Sequence, residues 1–279
     1  MTIRAVLLAG AAGVVSFCLV SGVAEAQQFS NTIFFGDSNT DSGHFLFVPA
    51  NIGQPKSMAP PGTGAFTTNP DPEWSVILGQ RFGITVTPLD APGGGNNFAT
   101  GGARVSIDDQ GVNEPSATDQ VKAYLASTGG RADPNALNTV YIGTNDLKAS
   151  SIPNIINPEN VPAITALAQQ TVNLVTTLAG AGARYFIVPN AYANFGAIIQ
   201  SQQGTSQTVI NTEVASHTLY NQTMWNGIAT SGINFIPADV DDLLAYVANH
   251  PGTFGLTNVN ITTPACACQR TPFSAGPLT

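Results

Sequence analysis

Residues 33–43, with the sequence IFFGDSNTDSG, decide how this chain is expected to fold. Apolar residues run into Gly36, an acid and a serine, and small polar residues follow. This pattern is typical of a buried strand that delivers a hydroxyl to the start of a helix. Ser38 at such a place is either a nucleophile or a helix cap. A nucleophile is favoured there because the free N–H groups and the positive end of the helix stabilise an oxyanion.

The first 26 residues have the pattern of a secretory signal peptide. A single arginine precedes the apolar residues 5–23, and Ala24-Glu25-Ala26 forms an A-x-A cleavage site. We therefore expect cleavage before Gln27, a secreted or periplasmic protein, and one domain over residues 27–279. No later stretch is apolar for long enough to span a bilayer, so no integral membrane segment is expected after signal removal.

Charge and cysteine content restrict the partners and the redox chemistry of the chain. The formal net charge is −8 with only 9 Lys and Arg residues, which excludes a broad basic surface for nucleic acid. Once Cys18 leaves with the signal peptide, Cys266 and Cys268 remain. They are too close in sequence for an ordinary unstrained disulfide with each other.

Short apolar runs alternate with helical stretches along the whole chain. Strands are predicted at residues 32–35, 139–142, 185–188 and 233–236, and helices at 74–82, 117–126, 161–178, 208–228 and 240–248. This alternation predicts an α/β fold, a three-layer α/β/α sandwich with a parallel, flavodoxin-like central sheet. Residues 45–71 and 88–97, rich in Pro, Gly and Asn, are predicted to be surface loops.

Two further motifs follow predicted buried segments. In residues 96–104, NNFATGGAR, the pair Gly101-Gly102 allows a backbone N–H to approach a ligand closely. In residues 141–147, YIGTNDL, Asn145 offers a neutral amide donor, which suits a carbonyl oxygen that becomes an anion. Each motif alone also fits an ordinary turn or helix cap.

Together the segments 35–38, 97–104 and 143–146 resemble three sequence blocks of the GDSL family of esterases and lipases, also called SGNH hydrolases. Asn39 stands where the family name has Leu, and the resemblance extends over about residues 31–264. It implies an SGNH-hydrolase fold and hydrolysis of carboxylic esters, with a small ester or lipid as substrate. The family uses an acyl-serine intermediate, so no metal and no other cofactor is expected.

The resemblance also implies roles for particular residues. Ser38 would be the nucleophile that attacks the ester carbonyl. Its own N–H, the N–H of Gly102 and the Asn145 side chain would form the oxyanion hole. Asp37 and Asp146 are expected to be structural, holding N–H groups of the loops.

The general base of the family lies in a late D-x-x-H block, which is not found near the C-terminus of this chain. His44 has this spacing from Asp41, but six residues of helix would place it about 9 Å from Ser38. His217 is predicted to be a half-exposed helix residue. His250, at the end of a helix over residues 240–249, could act only if it approached the sheet edge, oriented by Asp241 or Asp242.

Residues 269–279 do not resemble the family, which favours a truncation or frameshift after about residue 268. Weak or absent activity is then expected, because the catalytic Asp and His are missing. One alternative is a catalytically dead secreted protein that binds esters or glycans. Another is an active hydrolase of acetylated sugars or phospholipids with a substitute base such as His250. A third is a passenger domain cut from a longer autotransporter.

Overall fold

The computed structural model describes residues 28–49, 72–108, 113–147, 159–257 and 259–260. Three predictions lie outside these residues: the signal peptide, the interpretation of Cys266 and Cys268, and the truncation or frameshift after residue 268. Most of the predicted loop over residues 45–71 lies outside them as well.

Four parallel strands form the central sheet in the order β1-β2-β3-β4. They are β1 (Thr32–Gly36), β2 (Leu137–Tyr141), β3 (Tyr185–Pro189) and β4 (Ile236–Ala238). The parallel sheet and its first three strands confirm the prediction. The fourth strand begins three residues later than the predicted residue 233, because Ile233 and Phe235 pack against the core before the pairing with β3 starts.

A further segment, residues 96–100, hydrogen-bonds along the other edge of β1. The N–H of Phe34 donates to Asn96 O at 3.0 Å, and the N–H of Phe98 donates to Phe34 O at 2.8 Å. The bridge between Phe34 and Asn97 is parallel. With this segment included, the chain order reverses at β1, which makes the carboxyl end of β1 a topological switch point where α/β proteins bind ligands.

This pairing corrects the prediction of a surface loop over residues 88–97. Asn97 is 1% exposed. Its amide donates to Thr40 O at 2.7 Å and to Ser75 Oγ at 3.1 Å. The end of the predicted loop is therefore buried, and it leads directly into the Gly101-Gly102 motif.

Seven helices are present in the described part of the chain. Five were predicted with ends within two residues of those observed, and α3 and α5 were not. A single turn such as α3 leaves no periodic pattern, and α5 contains Gly196 and has at its N-cap Ala193, which cannot cap with its own side chain. The helices are α1 (Trp74–Arg81), α2 (Ala117–Ser127), α3 (Thr144–Leu147), α4 (Val161–Gly180), α5 (Asn194–Gln202), α6 (Gln207–Thr230) and α7 (Val240–Asn249).

Helices cover both faces of the sheet because successive strand residues point to opposite sides. Ile33 and Phe35 belong to the main core, to which α2, α4 and α6 contribute buried side chains. Phe34 points the other way and packs against Trp74 of α1, with ring centroids 5.7 Å apart. The predicted α/β/α arrangement is confirmed.

The side chain of Gln120 closes the end of β1. Gly36 N–H donates to Gln120 Oε1 at 2.9 Å, and Gln120 Nε2 donates back to Gly36 O at 2.9 Å. Gln120 is only 2% exposed, so water does not compete for these bonds. The backbone is thereby fixed at the point where Asp37 and Ser38 leave the sheet.

Candidate active site

A cavity of about 400 Å³ lies where the chain leaves β1, β2 and β3, between α5 and α6. Its size is within the range of roughly 300 to 1,000 Å³ that is typical of small-molecule sites. Its polar lining includes Ser38, Asn39, Thr144, Asn145, Glu213 and His217. The structure therefore places Ser38 and Asn145, predicted from separate motifs, on one cavity.

Ser38 lies at the switch point, directly after β1 and the fully buried Asp37. Its side chain is half-buried and faces the cavity. Within the described ranges, its hydroxyl has no hydrogen-bond partner. The hydroxyl is therefore open to a ligand in the cavity rather than used as a helix cap.

Asp37 has the structural role that the sequence analysis predicts for it. Its Oδ1 accepts hydrogen bonds from the N–H and the Nδ2 of Asn39, both at 2.9 Å. Burial raises the pKa of Asp37 to about 7, although the bonds from Asn39 act to lower it. Asp37 thus ties down the loop on the far side of Ser38.

Asp146 holds a second loop in the same way. Its Oδ2 accepts a hydrogen bond from the N–H of Val105 at 3.1 Å. Burial raises the pKa of Asp146 to about 7, and the positive charge of Arg104 acts against this shift. The Gly101-Gly102 segment is therefore anchored to the residue that follows Asn145.

The Asn145 amide links the three sequence motifs. Its Nδ2 donates to Ala103 O at 3.0 Å and to Asp37 Oδ2 at 3.4 Å. The second bond is long and therefore weak, so an oxygen of a ligand can replace it. Asn145 is positioned as a donor at the cavity edge, close to Ser38 in the fold.

Gly102 requires the absence of a side chain. Its φ is +85°, and an added Cβ would lie 2.5 Å from the carboxyl group of Glu114. The Gly101 N–H donates to Asp41 Oδ2 at 2.8 Å, whereas the Gly102 N–H has no partner within the described residues. Of the two glycines, Gly102 therefore keeps a donor for a ligand, although it is not part of the cavity lining.

His217 contradicts its prediction as a half-exposed residue, because it is only 5% exposed and lines the cavity. It lies on the buried stripe of α6, whose members recur every three or four residues. That spacing is a signal in the sequence that predicts burial, and the prediction of a half-exposed residue did not use it. The stripe consists of Ile210, Glu213, His217, Tyr220, Met224 and Ile228.

His44 is excluded from the cavity, as its distance along the chain predicts. Its Nδ1 lies 2.7 Å from Asp90 Oδ2, and its Nε2 lies 2.9 Å from Asn113 O. Both ring nitrogens are engaged, and the residue does not line the cavity. His44 therefore connects surface segments rather than serving Ser38.

His250 is also outside the cavity. It is exposed at the end of α7, where its Nδ1 lies 3.0 Å from Tyr246 O. Asp241 does not orient it. The Asp241 carboxylate instead accepts the N–H groups of Asn194 and Phe195, both at 2.8 Å, and so caps the N-terminus of α5.

Asn39, which departs from the family pattern, joins two sides of the site. Its amide nitrogen donates to Asp37, and its Oδ1 accepts the hydroxyl proton of Tyr192 at 2.9 Å. Tyr192 lies in the cavity wall just after β3. A polar residue at this position therefore connects the wall to the segment that carries Ser38.

Replacing Asn39 with leucine is expected to reduce the free energy of unfolding by about 1 to 3 kcal/mol, because the buried Asp37 carboxyl and the half-buried Tyr192 hydroxyl each lose a partner. Urea denaturation of Asn39→Leu and wild type measures the loss. Asn226→Leu, an exposed change on α6, is the matched control. Equal stability of Asn39→Leu and wild type would contradict the bridging role.

The fold and the site define an α/β protein with a serine at the switch point of a parallel sheet. The family described as GDSL-like Lipase/Acylhydrolase matches residues 33–267, so this chain belongs to that family. Hydrolysis of acyl esters is the general chemistry of the family. The resemblance found in the three sequence motifs is thereby confirmed.

A relative is Lipase 1 of Photorhabdus luminescens, which is 32% identical over 171 residues. The match covers 61% of this chain and 23% of that protein, so this chain spans less than a quarter of its relative.

Two solved structures are similar in fold. Phospholipase A1 from Streptomyces albidoflavus NA297 has a TM-score of 0.44 at 13% identity, covering 89% of this chain and 92% of that chain. A carbohydrate esterase described as having divergent catalytic and non-catalytic binding functions has a TM-score of 0.38 at 14% identity, covering 78% and 66%. At these scores neither structure bears on the chemistry of this chain.

The described residues contain neither a candidate membrane span nor a candidate metal cluster. No helix among them has the length and apolar character needed to cross a bilayer. No group of three or more His, Cys, Asp or Glu side chains in the same part of the chain is arranged to hold a metal ion.

Proposed function

We propose that this chain hydrolyses carboxylic esters through Ser38. The observation that carries the proposal is the position of Ser38: its free hydroxyl faces a cavity that Asn145 also lines, in a member of an acylhydrolase family. Ser38 Oγ attacks the ester carbonyl carbon, the alcohol leaves, and water then releases the acid from the acyl-serine.

The proposed oxyanion hole consists of the Ser38 N–H, the Gly102 N–H and the Asn145 amide. Two observations support this assignment. The Gly102 N–H has no partner among the described residues, and the bond from the Asn145 amide to Asp37 is weak, so both groups are available to donate to an oxyanion. Each such donor lowers the barrier by roughly 3 to 4 kcal/mol in hydrolases of this kind.

The cavity lining favours a small ester with a polar part. Thr144 Oγ1 and Gln200 Oε1 are buried on the cavity and have no hydrogen-bond partner among the described residues. Such atoms favour a ligand that supplies hydroxyl groups. Ile199, Val209 and Ile210 form an apolar part of the lining that suits a short acyl chain.

We further propose that the protein is exported, which rests on the signal-peptide pattern of residues 1–26. Export would bring the site to esters outside the cytoplasm. A fusion of residues 1–26 to a reporter that is active only after export tests this proposal.

The second candidate is a protein that binds esters or glycans without cleaving them. It is favoured by one observation: no histidine in the described ranges makes a hydrogen bond to Ser38. Calorimetry can measure the binding of acetylated sugars. Binding in a sample that shows no Ser38-dependent turnover would support this candidate over the hydrolase.

Hydrolysis of p-nitrophenyl butyrate by the purified chain, beside Ser38→Ala, tests the proposed activity. We expect turnover in the wild type that falls to the background rate in the variant, because the acyl-serine cannot form. Ser231→Ala, which removes an exposed hydroxyl at the end of α6, is the control. Equal rates in wild type and Ser38→Ala would refute the proposal.

A further inference from the structure

A serine hydroxyl becomes an effective nucleophile only if a base accepts its proton, directly or through one water molecule. Asp37, although adjacent, has Oδ1 occupied by two donors of Asn39, and its Oδ2 accepts from Asn145. The acceptor must therefore come from another part of the cavity lining.

The titratable side chains of that lining are Tyr192, His217 and Glu213. The Tyr192 hydroxyl donates to Asn39, and burial raises the pKa of Tyr192 to about 12, so it is not a base near neutral pH. This leaves His217 and Glu213 of α6.

The His217 ring is held in one tautomer by its own helix. Nδ1 lies 2.8 Å from the backbone oxygen of Glu213, and a carbonyl oxygen can only accept a hydrogen bond. Nδ1 therefore carries the proton, and Nε2 keeps its lone pair. In the described part of the chain, Nε2 has no hydrogen-bond partner.

The surroundings of His217 keep the ring neutral, which is the form that accepts a proton. Burial lowers the pKa of His217, although the Glu213 carbonyl and the charge of Asp241 in α7 act to raise it. Glu213 is also buried, and burial raises the pKa of its carboxyl group.

We propose that His217 Nε2 is the general base for Ser38, an inference that rests on the proposed ester hydrolysis. No hydrogen bond joins the two side chains, so the proton passes through one water molecule in the shared cavity. At about 30 Å³ per molecule, the cavity has room for such a water beside a small ester.

The proton balance of the reaction follows from this placement. As Ser38 Oγ bonds to the carbonyl carbon, its proton goes to the bridging water, which gives another proton to Nε2. The imidazolium returns a proton by the same route to the alcohol as the C–O bond breaks. A second water repeats the sequence on the acyl-serine, so ester and water give acid and alcohol.

His217 is a better candidate than Glu213 for a geometric reason. Its ring is fixed at Nδ1, so the direction of Nε2 is defined, whereas no hydrogen bond is shown for the Glu213 carboxyl. A neutral imidazole also serves both as acceptor and, once protonated, as donor near neutral pH.

The test is p-nitrophenyl butyrate hydrolysis by the full chain and its His217→Gln variant, with Glu213→Gln and His250→Gln beside them. We expect kcat of His217→Gln to fall by roughly 10² to 10⁴, the contribution of a general base, with KM little changed. His250→Gln, an exposed change outside the cavity, should keep wild-type rates. Imidazole in the buffer should restore part of the activity of His217→Ala.

A second measurement keeps the test valid if the His217 variants fail to fold. In a His250→Gln background the remaining histidines are His44, whose two ring nitrogens are engaged, and His217, whose Nε2 has no partner among the described residues. Diethyl pyrocarbonate should therefore inactivate the folded protein by acylating the His217 ring, and hydroxylamine should restore the activity. A folded His217→Gln variant with wild-type turnover would overturn the role of His217 alone, as would loss of activity confined to Glu213→Gln. Turnover that survives in Ser38→Ala would overturn the proposed function as well.

Discussion

Replacing Gly143 with alanine is expected to lower the free energy of unfolding by about 2 to 5 kcal/mol. Gly143 has a φ of +110°, and a Cβ there would lie 2.4 Å from the hydroxyl oxygen and 2.5 Å from Cζ of Tyr220. Left-handed backbone costs a non-glycine residue about 1 to 2 kcal/mol, and overpacking adds about 1 to 3 kcal/mol.

Tyr220 cannot move aside cheaply. It is fully buried, and its hydroxyl donates to Ile142 O at 2.9 Å and lies 2.9 Å from Thr171 Oγ1. The strain from Gly143→Ala is therefore expected to shift residues 143–145, and turnover should fall together with stability.

Urea denaturation of Gly143→Ala beside Gly129→Ala separates the two contributions. Gly129 has a φ of +64° with no atom within 4 Å of an added Cβ, so its variant reports backbone strain alone. In a double-mutant cycle, Tyr220→Leu should relieve part of the Gly143→Ala loss. Equal losses in the two glycine variants would contradict the steric contact.

The second large effect is a fall in stability as the pH rises from about 5 to 8. Burial raises the pKa of Asp37 and of Asp146 from 3.8 to about 7, and that of Glu73 from 4.5 to about 8. Between the ordinary and the raised values, the folded chain holds protons that the unfolded chain has released. The free energy of unfolding then falls by up to about 1.4 kcal/mol per pH unit for each such group.

The His217 imidazole acts in the opposite direction, because it makes the free energy of unfolding rise with pH. Because burial lowers its pKa, its contribution to stability is present above the ordinary value of 6.5 and is lost as the pH falls from there towards the lowered pKa. Burial also raises the pKa of Asp41, Glu213 and Asp241, so the carboxyl groups outweigh one imidazole and stability decreases with rising pH. Thermal unfolding midpoints at pH 5, 6, 7 and 8 measure the slope.

Asp146→Asn gives a sharper version of the same measurement. The amide oxygen of asparagine can still accept the Val105 N–H, but it does not ionise. Because the wild type loses stability as the pH rises from 3.8 towards about 7, the variant should gain stability relative to wild type between pH 5 and pH 8. A variant that is equally destabilised at both pH values would show that ionisation of Asp146 does not set the slope.

The sheet and the long helices could be predicted from the sequence because their signals are local. Apart from Asn138, strand β2 consists of apolar, aromatic and β-branched residues, and α4 has a continuous apolar stripe. Helix α5 could not be predicted, because it is fixed from outside by the Asp241 carboxylate, a contact 46 residues away in sequence at Phe195.

The site was predicted in part for the same reason. Ser38 and Asn145 follow strands directly, so their positions follow from the sheet. The wall formed by Tyr192 and His217 depends on how α5 and α6 pack against each other, which no local pattern encodes. Of these features, only the burial of His217 could be predicted from the sequence, by the spacing of the buried residues in α6.

The distance in sequence between Asn39 and Tyr192 has a consequence for biosynthesis. The bond between them spans 153 residues, and β1 and β2 pair Thr32 with Leu137. A nascent chain therefore carries Ser38 for most of its synthesis with no cavity around it. Such distant parallel pairing folds slowly, so the cavity around Ser38 is complete only after α6 has emerged from the ribosome and packed.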